Sequence, residues 1–292
     1  MPPSETAAPE SVVMHLWLAA AILLCLPLTC WAVWRGVRWW LSGRPIPLPL
    51  DGAYPAIRWP AWYGLALFGA MLSLMFFVPN LYFAAARHGL LPWEPLGVPI
   101  AVNPAVFLAQ ILPPLFGLWV VSRFGRDASA TVGVRVGRAG ADIARGLWTA
   151  AAVLPASIAA LIVVARLFER AGLPLEPHPL LEDLATSRSP ALLAATLAQA
   201  SVLAPLAEEF TYRGVLMMSL LRRIGPAWAI AASSAAFALL HLPIEPQSVP
   251  ALFLLGGALG YVTYRTRSLL AAVVAHSAFN TLIVMGAYFG GA

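Results

Sequence analysis

The chain has 292 residues, 60% of them hydrophobic and only 11% charged, with a formal net charge of +5. Soluble globular proteins carry about 25% charged residues, so this sequence cannot cover a water-facing surface, and its apolar content excludes a disordered chain. It reads as all-α: a polytopic membrane helix bundle whose spans each need about 20 apolar residues.

In chain order, apolar runs lie near residues 12–34, 60–86, 101–121, 146–165, 191–221, 227–242, 249–264 and 269–289. They predict eight membrane helices. The segment before the first run carries Glu5 and Glu10 but no arginine, unlike the positive start of a secretory signal. Cys25 and Cys30 both lie in the first run and report nothing on redox compartment. The proline-rich stretch 44–60 reads as an irregular loop, as does 171–190 with Glu176, Glu182 and Asp183. Prolines inside the runs, such as Pro79, Pro113, Pro155 and Pro205, are tolerated where neighbouring helices satisfy the freed carbonyls. Trp39, Trp40, Trp59 and Trp62 read as interfacial anchors. Gly256, Gly257 and Gly260 read as close helix packing. His15, His88 and His178 fall at span edges or in loops and read as incidental.

All 18 basic residues are arginine. Thirteen lie in alternate loops, those after the first, third, fifth and seventh runs. The remaining loops hold four, and Arg213 lies inside the fifth run. Positive charge collects on the cytoplasmic side, so the split supports eight spans with both termini outside the cytoplasm. The arginines form no single patch suited to nucleic acid. They face lipid headgroups, which makes membrane lipids the expected partners.

Ionisable residues in the bilayer are costly and usually functional, and here they cluster late in the chain. The fifth run holds Glu208, Glu209 and Arg213, the sixth Phe237 and His241, and the eighth His276 and Asn280. Glu209 and Arg213 are four residues apart and can pair on one helix face. Glu208 points about 100° away and lacks such a partner. At 1.5 Å per residue from the cytoplasmic end, Glu208 lies about 20 Å deep, His241 about 21 Å, Asn280 about 17 Å and His276 about 11 Å. Three helices thus put polar groups in one layer and can converge on one cavity. Blander uses exist for each: a structural ion pair for Glu209 with Arg213, a core histidine, or hydrogen-bond glue between helices for His276 with Asn280.

At these residues the sequence resembles the CPBP family, membrane proteases related to the type II CAAX prenyl endopeptidase and to bacteriocin-processing and self-immunity proteins. Glu-Glu-x-x-x-Arg matches Glu208, Glu209 and Arg213; Phe-x-x-x-His matches Phe237 and His241; His-x-x-x-Asn matches His276 and Asn280. The resemblance covers roughly residues 190–290. It divides the chain into an N-terminal membrane region of four helices and loops (1–189) and a CPBP-like catalytic core (190–292). It implies an intramembrane endopeptidase acting on a peptide or protein substrate with a glutamate-activated water.

The chemistry agrees with that implication. Amide hydrolysis needs a base for water and donors for the oxyanion. Glu208 is the candidate base, His241 the group that holds water and shuttles a proton, and Asn280 with His276 the oxyanion donors. Glu209 and Arg213 support the helix. No metal is the favoured reading, although Glu208, His241 and His276 have the donor types of a catalytic zinc site. Ser201, Ser233 and Ser234 lack an evident base. Two other functions fit the polar layer: a non-catalytic immunity or scaffold protein of the same fold, and a proton-coupled transporter. The transporter reading expects repeated halves, which the sequence lacks. The arginine-only, alanine-rich composition points to a bacterial inner membrane.

Overall fold

A computed structural model describes residues 61–91, 103–123, 138–175 and 178–290, with Pro27, Cys30, Trp34, Arg38 and Gly133 as isolated positions. The expected first span and the loop 44–60 lie outside this set, apart from those isolated positions. Every described element is helical: α1 (Ala61–Arg87), α2 (Pro104–Ser122), α3 (Ala139–Ala171), α4 (Pro179–Ser187), α5 (Pro190–Leu221), α6 (226–239), α7 (Val249–Thr266) and α8 (Leu269–Gly290).

Local chemistry sets the helix ends. α2, α4 and α5 share one start: a capping side chain followed by proline at the first helical position, where a missing N–H costs nothing. Asn103 accepts from the Ala105 amide at 2.8 Å, His178 Nδ1 from Leu180 at 3.2 Å, and Ser189 from Leu192 at 3.3 Å. α3 stops at Gly172, whose φ of 68° is the left-handed conformation that glycine adopts without a Cβ clash. Between α5 and α6 the backbone breaks at Gly225 (φ 77°, ψ 167°), and Pro226 begins the next helix.

Five of the described helices, α1, α2, α3, α5 and α8, are long and apolar enough to cross a membrane. The protein is an integral membrane helix bundle. Large apolar side chains face outward, among them Phe77, Leu81, Trp148 and Trp228, as lipid contact requires. α6 and α7 form as helices at the sixth and seventh expected spans, but neither is among the five. The 14 residues of α6 reach only about 21 Å, against a hydrocarbon core of about 30 Å.

Three local expectations are corrected. The 171–190 stretch contains the helix α4, started by the His178–Pro179 cap. α3 begins at Ala139, seven residues before the expected span, because an amphipathic turn with a buried Asp142 paired to Arg145 extends it. α6 ends at Leu239, so His241 lies in the turn that follows and not inside the helix.

α5 is enclosed on several sides. Leu67, Met71 and Val121 from α1 and α2 pack with Phe210 and Val215 of α5. Met217 and Met218 pack with Ala229 of α6 and Tyr264 of α7. α3 joins α7 and α8 in a separate cluster of Val153, Leu154, Leu255, Leu259 and Ala275. A Cβ on Gly256 would lie 3.0 Å from Ser234 Cβ, so glycine there lets α7 approach α6 closely. Gly260 meets Ile230 at the same distance. Gly257 does not follow this reading: a Cβ there would meet nothing within 4 Å, and it faces outward.

Candidate active site

The site is built where α5 departs from α-helical hydrogen bonding. Residues Gln199–Leu203 and Glu209–Met217 are π-helical, flanking an α-helical turn from Ala204 to Glu208. π turns re-aim side chains and recur at functional sites. Part of the cause is readable. The Ala204 amide bonds Gln199 O, and in that register the next acceptor, Ala200 O, would wait for residue 205. That residue is proline and has no N–H. Asn280 of α8 takes the place, donating from Nδ2 to Ala200 O at 2.7 Å.

Glu209 is the hub of the polar core. Its Oε1 accepts from Arg213 NH1 at 2.8 Å and lies 3.0 Å from His276 Nδ1. Glu209 and Arg213 are both fully buried. Arg213 also donates to Gly256 O of α7 at 3.1 Å, and its guanidinium stands 4.8 Å over the Phe237 ring. One buried pair therefore joins α5, α7 and α8. A carboxylate accepts and does not donate, so His276 carries its proton on Nδ1. Its Nε2 then faces Glu208 Oε2 at 3.8 Å, beyond hydrogen-bond length. Glu208 differs from its neighbour: 18% of its side chain remains open, and no strong ion pair holds it.

Phe237 collects the aromatic groups. Its ring contacts Tyr212, His241 and His276 edge-on, with centroids 5.4, 5.0 and 5.6 Å away. Phe68 of α1 extends the stack onto Tyr212 at 5.6 Å. His241 Nδ1 lies 2.9 Å from Phe237 O. A carbonyl only accepts, so His241 holds a proton on Nδ1, and in the neutral ring Nε2 is a free acceptor.

Glu208, Glu209, Arg213, Phe237, His241 and His276 are linked through these contacts. Asn280, one turn along α8 from His276, is committed to Ala200 O. Among the described residues no three His, Cys, Asp or Glu side chains are grouped to hold a metal ion. His276 Nδ1 is engaged by Glu209, and its Nε2 lies 3.8 Å from Glu208 Oε2. Ser233 and Ser234 bond Ile230 O, and neither is paired to a base.

His178 is not incidental. It caps α4, and it is close enough to Glu245 and His241 to feel both charges. Burial holds its imidazole below the usual range and His241 pushes it lower, while Glu245 pulls the other way. The His-Pro pair was the available sequence signal for its cap. Nothing in the sequence marked Tyr212, Gly256 O or Ala200 O as partners.

Residues 190–282 match the family model described as Rce1-like, the type II CAAX prenyl endopeptidase Rce1-like family. The matched segment is the C-terminal part of the chain and contains every motif residue from Glu208 to Asn280. No curated protein and no solved structure matches the chain.

Proposed function

We propose that this CAAX-protease-like protein is an intramembrane endopeptidase in which Glu208 activates the attacking water. The observation that carries the reading is the contrast between two adjacent glutamates. Glu209 is sealed and bound by Arg213 and His276, whereas Glu208 stays partly open at the head of the π turn. The buried pair fixes the helix and leaves the second carboxylate available.

In this mechanism Glu208 takes a proton from water as the water oxygen adds to the peptide carbonyl carbon. His241 presents Nε2 to the same water. His276, oriented by Glu209 at Nδ1, turns Nε2 towards Glu208 and the side of the site where the oxyanion forms. The C–N bond breaks as the proton passes from Glu208, by way of His241, to the leaving nitrogen. Asn280 acts by keeping Ala200 O satisfied and α8 docked on α5. We favour a metal-free site in which Glu208 and His241 act on the water directly.

The substrate is a membrane-associated peptide or protein. The host membrane is the bacterial inner membrane, with both termini outside the cytoplasm. General-base catalysis contributes about 10²–10⁴-fold. Glu208→Gln should therefore lower cleavage of a peptide library by at least a hundredfold, with an unchanged melting temperature in detergent. Normal cleavage by that variant would overturn the mechanism. Stoichiometric bound zinc with chelator-sensitive cleavage would move Glu208, His241 and His276 to ligand roles.

A further inference from the structure

A second site lies on the arginine-rich face, away from the glutamates. Where the first turns of α3 meet the last turns of α7, a cavity of about 420 Å³ is lined by Arg138, Arg145, Arg265, Trp148, Tyr261 and Thr266, among others. No acidic side chain lines it. Asp142, one turn from Arg138, is buried and held by Arg145 at 3.1 Å. Three arginines and no carboxylate therefore line the cavity. The α3 N-terminus carries no side-chain cap, so first-turn amides add to the positive field.

The rim indicates the kind of anion. Trp148 is 65% exposed and Tyr261 47%, amphipathic rings of the type found at headgroup level. Tyr261, Gly257 and Leu254 follow one another down a single face of α7. Gly257 has open space around it, and Leu254 is exposed. The rim of the cavity therefore continues into an exposed apolar face of the same helix.

We propose that this cavity binds the phosphate of an anionic phospholipid, with an acyl chain lying along the Tyr261–Gly257–Leu254 face. A soluble phosphate would use the arginines but leave that apolar face without purpose. Basic pockets between membrane helices are suited to such headgroups.

Native mass spectrometry of the full chain in detergent tests the assignment, with phosphatidylglycerol, phosphatidylcholine or inorganic phosphate added. The variant Arg138→Gln/Arg265→Gln removes two cavity charges and leaves the Asp142–Arg145 pair intact. Arg123→Gln/Arg223→Gln removes two arginines from the same face outside the cavity. Each arginine near an anionic lipid surface contributes about 1 kcal/mol. Phosphatidylglycerol retention should therefore fall about tenfold or more in the first pair and less than twofold in the second. Trp148→Ala, at an exposed position, should lower retention severalfold at an unchanged melting temperature, and it decides the matter if the first pair misfolds. Equal loss in both pairs overturns the proposal, as does equal retention of phosphatidylcholine or unchanged retention in Trp148→Ala. Displacement of the lipid by millimolar inorganic phosphate would assign the cavity to a soluble anion and overturn it as well.

Discussion

Arg213 and Glu209 sit fully buried, and each depends on the other. Breaking a buried pair from one side leaves an uncompensated charge and costs about 3–5 kcal/mol. Arg213→Gln should therefore melt well below wild type in detergent, and Glu209→Gln/Arg213→Gln should recover part of the loss. A double variant no more stable than Arg213→Gln would remove this account. His178 gives a pH dependence with a definite sign. Its folded pKa lies below the ordinary value of 6.5, so between the two values the unfolded chain binds more protons. Stability then rises with pH: the contribution is complete above pH 6.5 and is lost as pH falls towards the folded value. His178→Asn keeps a capping acceptor and removes the titration. The drop in melting temperature between pH 7.5 and 5.5 should be smaller in that variant than in wild type.

At the scale of elements, α5 is legible as an apolar run with three charges, but its π turns are not. Composition and i,i+4 spacing report a helix, whereas the change of register depends on what lies opposite. Pro205 was the visible cause of a missing donor, and Asn280 the distant remedy, 80 residues from Ala200. Asn280→Ala would leave that part-buried carbonyl without this donor, at up to about 1–3 kcal/mol. We expect a lower melting temperature together with reduced activity, and normal stability would mean that the Ala200 bond is unimportant. α7 meets α6 through Gly256, where Ser234 Cβ lies 3.0 Å from the position of an added Cβ. A Gly256→Val substitution should overpack this contact by about 1–3 kcal/mol and displace the carbonyl that Arg213 uses. Gly257→Ala, in open space, should melt like wild type. The small-residue pattern alone could not separate the two, because both lie on the same apolar helix.

At the scale of the whole molecule, the arginine distribution carries the sidedness. Thirteen arginines lie in one set of loops and four in the other. Removing α6 and α7 together from the spanning set changes the count by two and leaves the side of every arginine-bearing loop unchanged. The arginine asymmetry and the five long apolar helices are therefore compatible. We expect that, in a chain lacking Cys25 and Cys30, Leu175→Cys reacts with an impermeant thiol reagent added to spheroplasts. Arg223→Cys and Arg267→Cys should react only after permeabilisation, and the reverse pattern would invert the orientation.

The sequence by itself determined the membrane character, the helices at seven of the expected runs and the residues of the polar layer. Those follow from composition, periodicity and short spacing, which are local. Only the tertiary structure decided how the polar groups divide. His276 reaches Glu209 across 67 residues and Arg213 reaches Gly256 O across 43, which leaves Glu208 as the open carboxylate. These pairings depend on the rotation and depth of one helix against another. Packing sets both, and no spacing along a single chain segment encodes them.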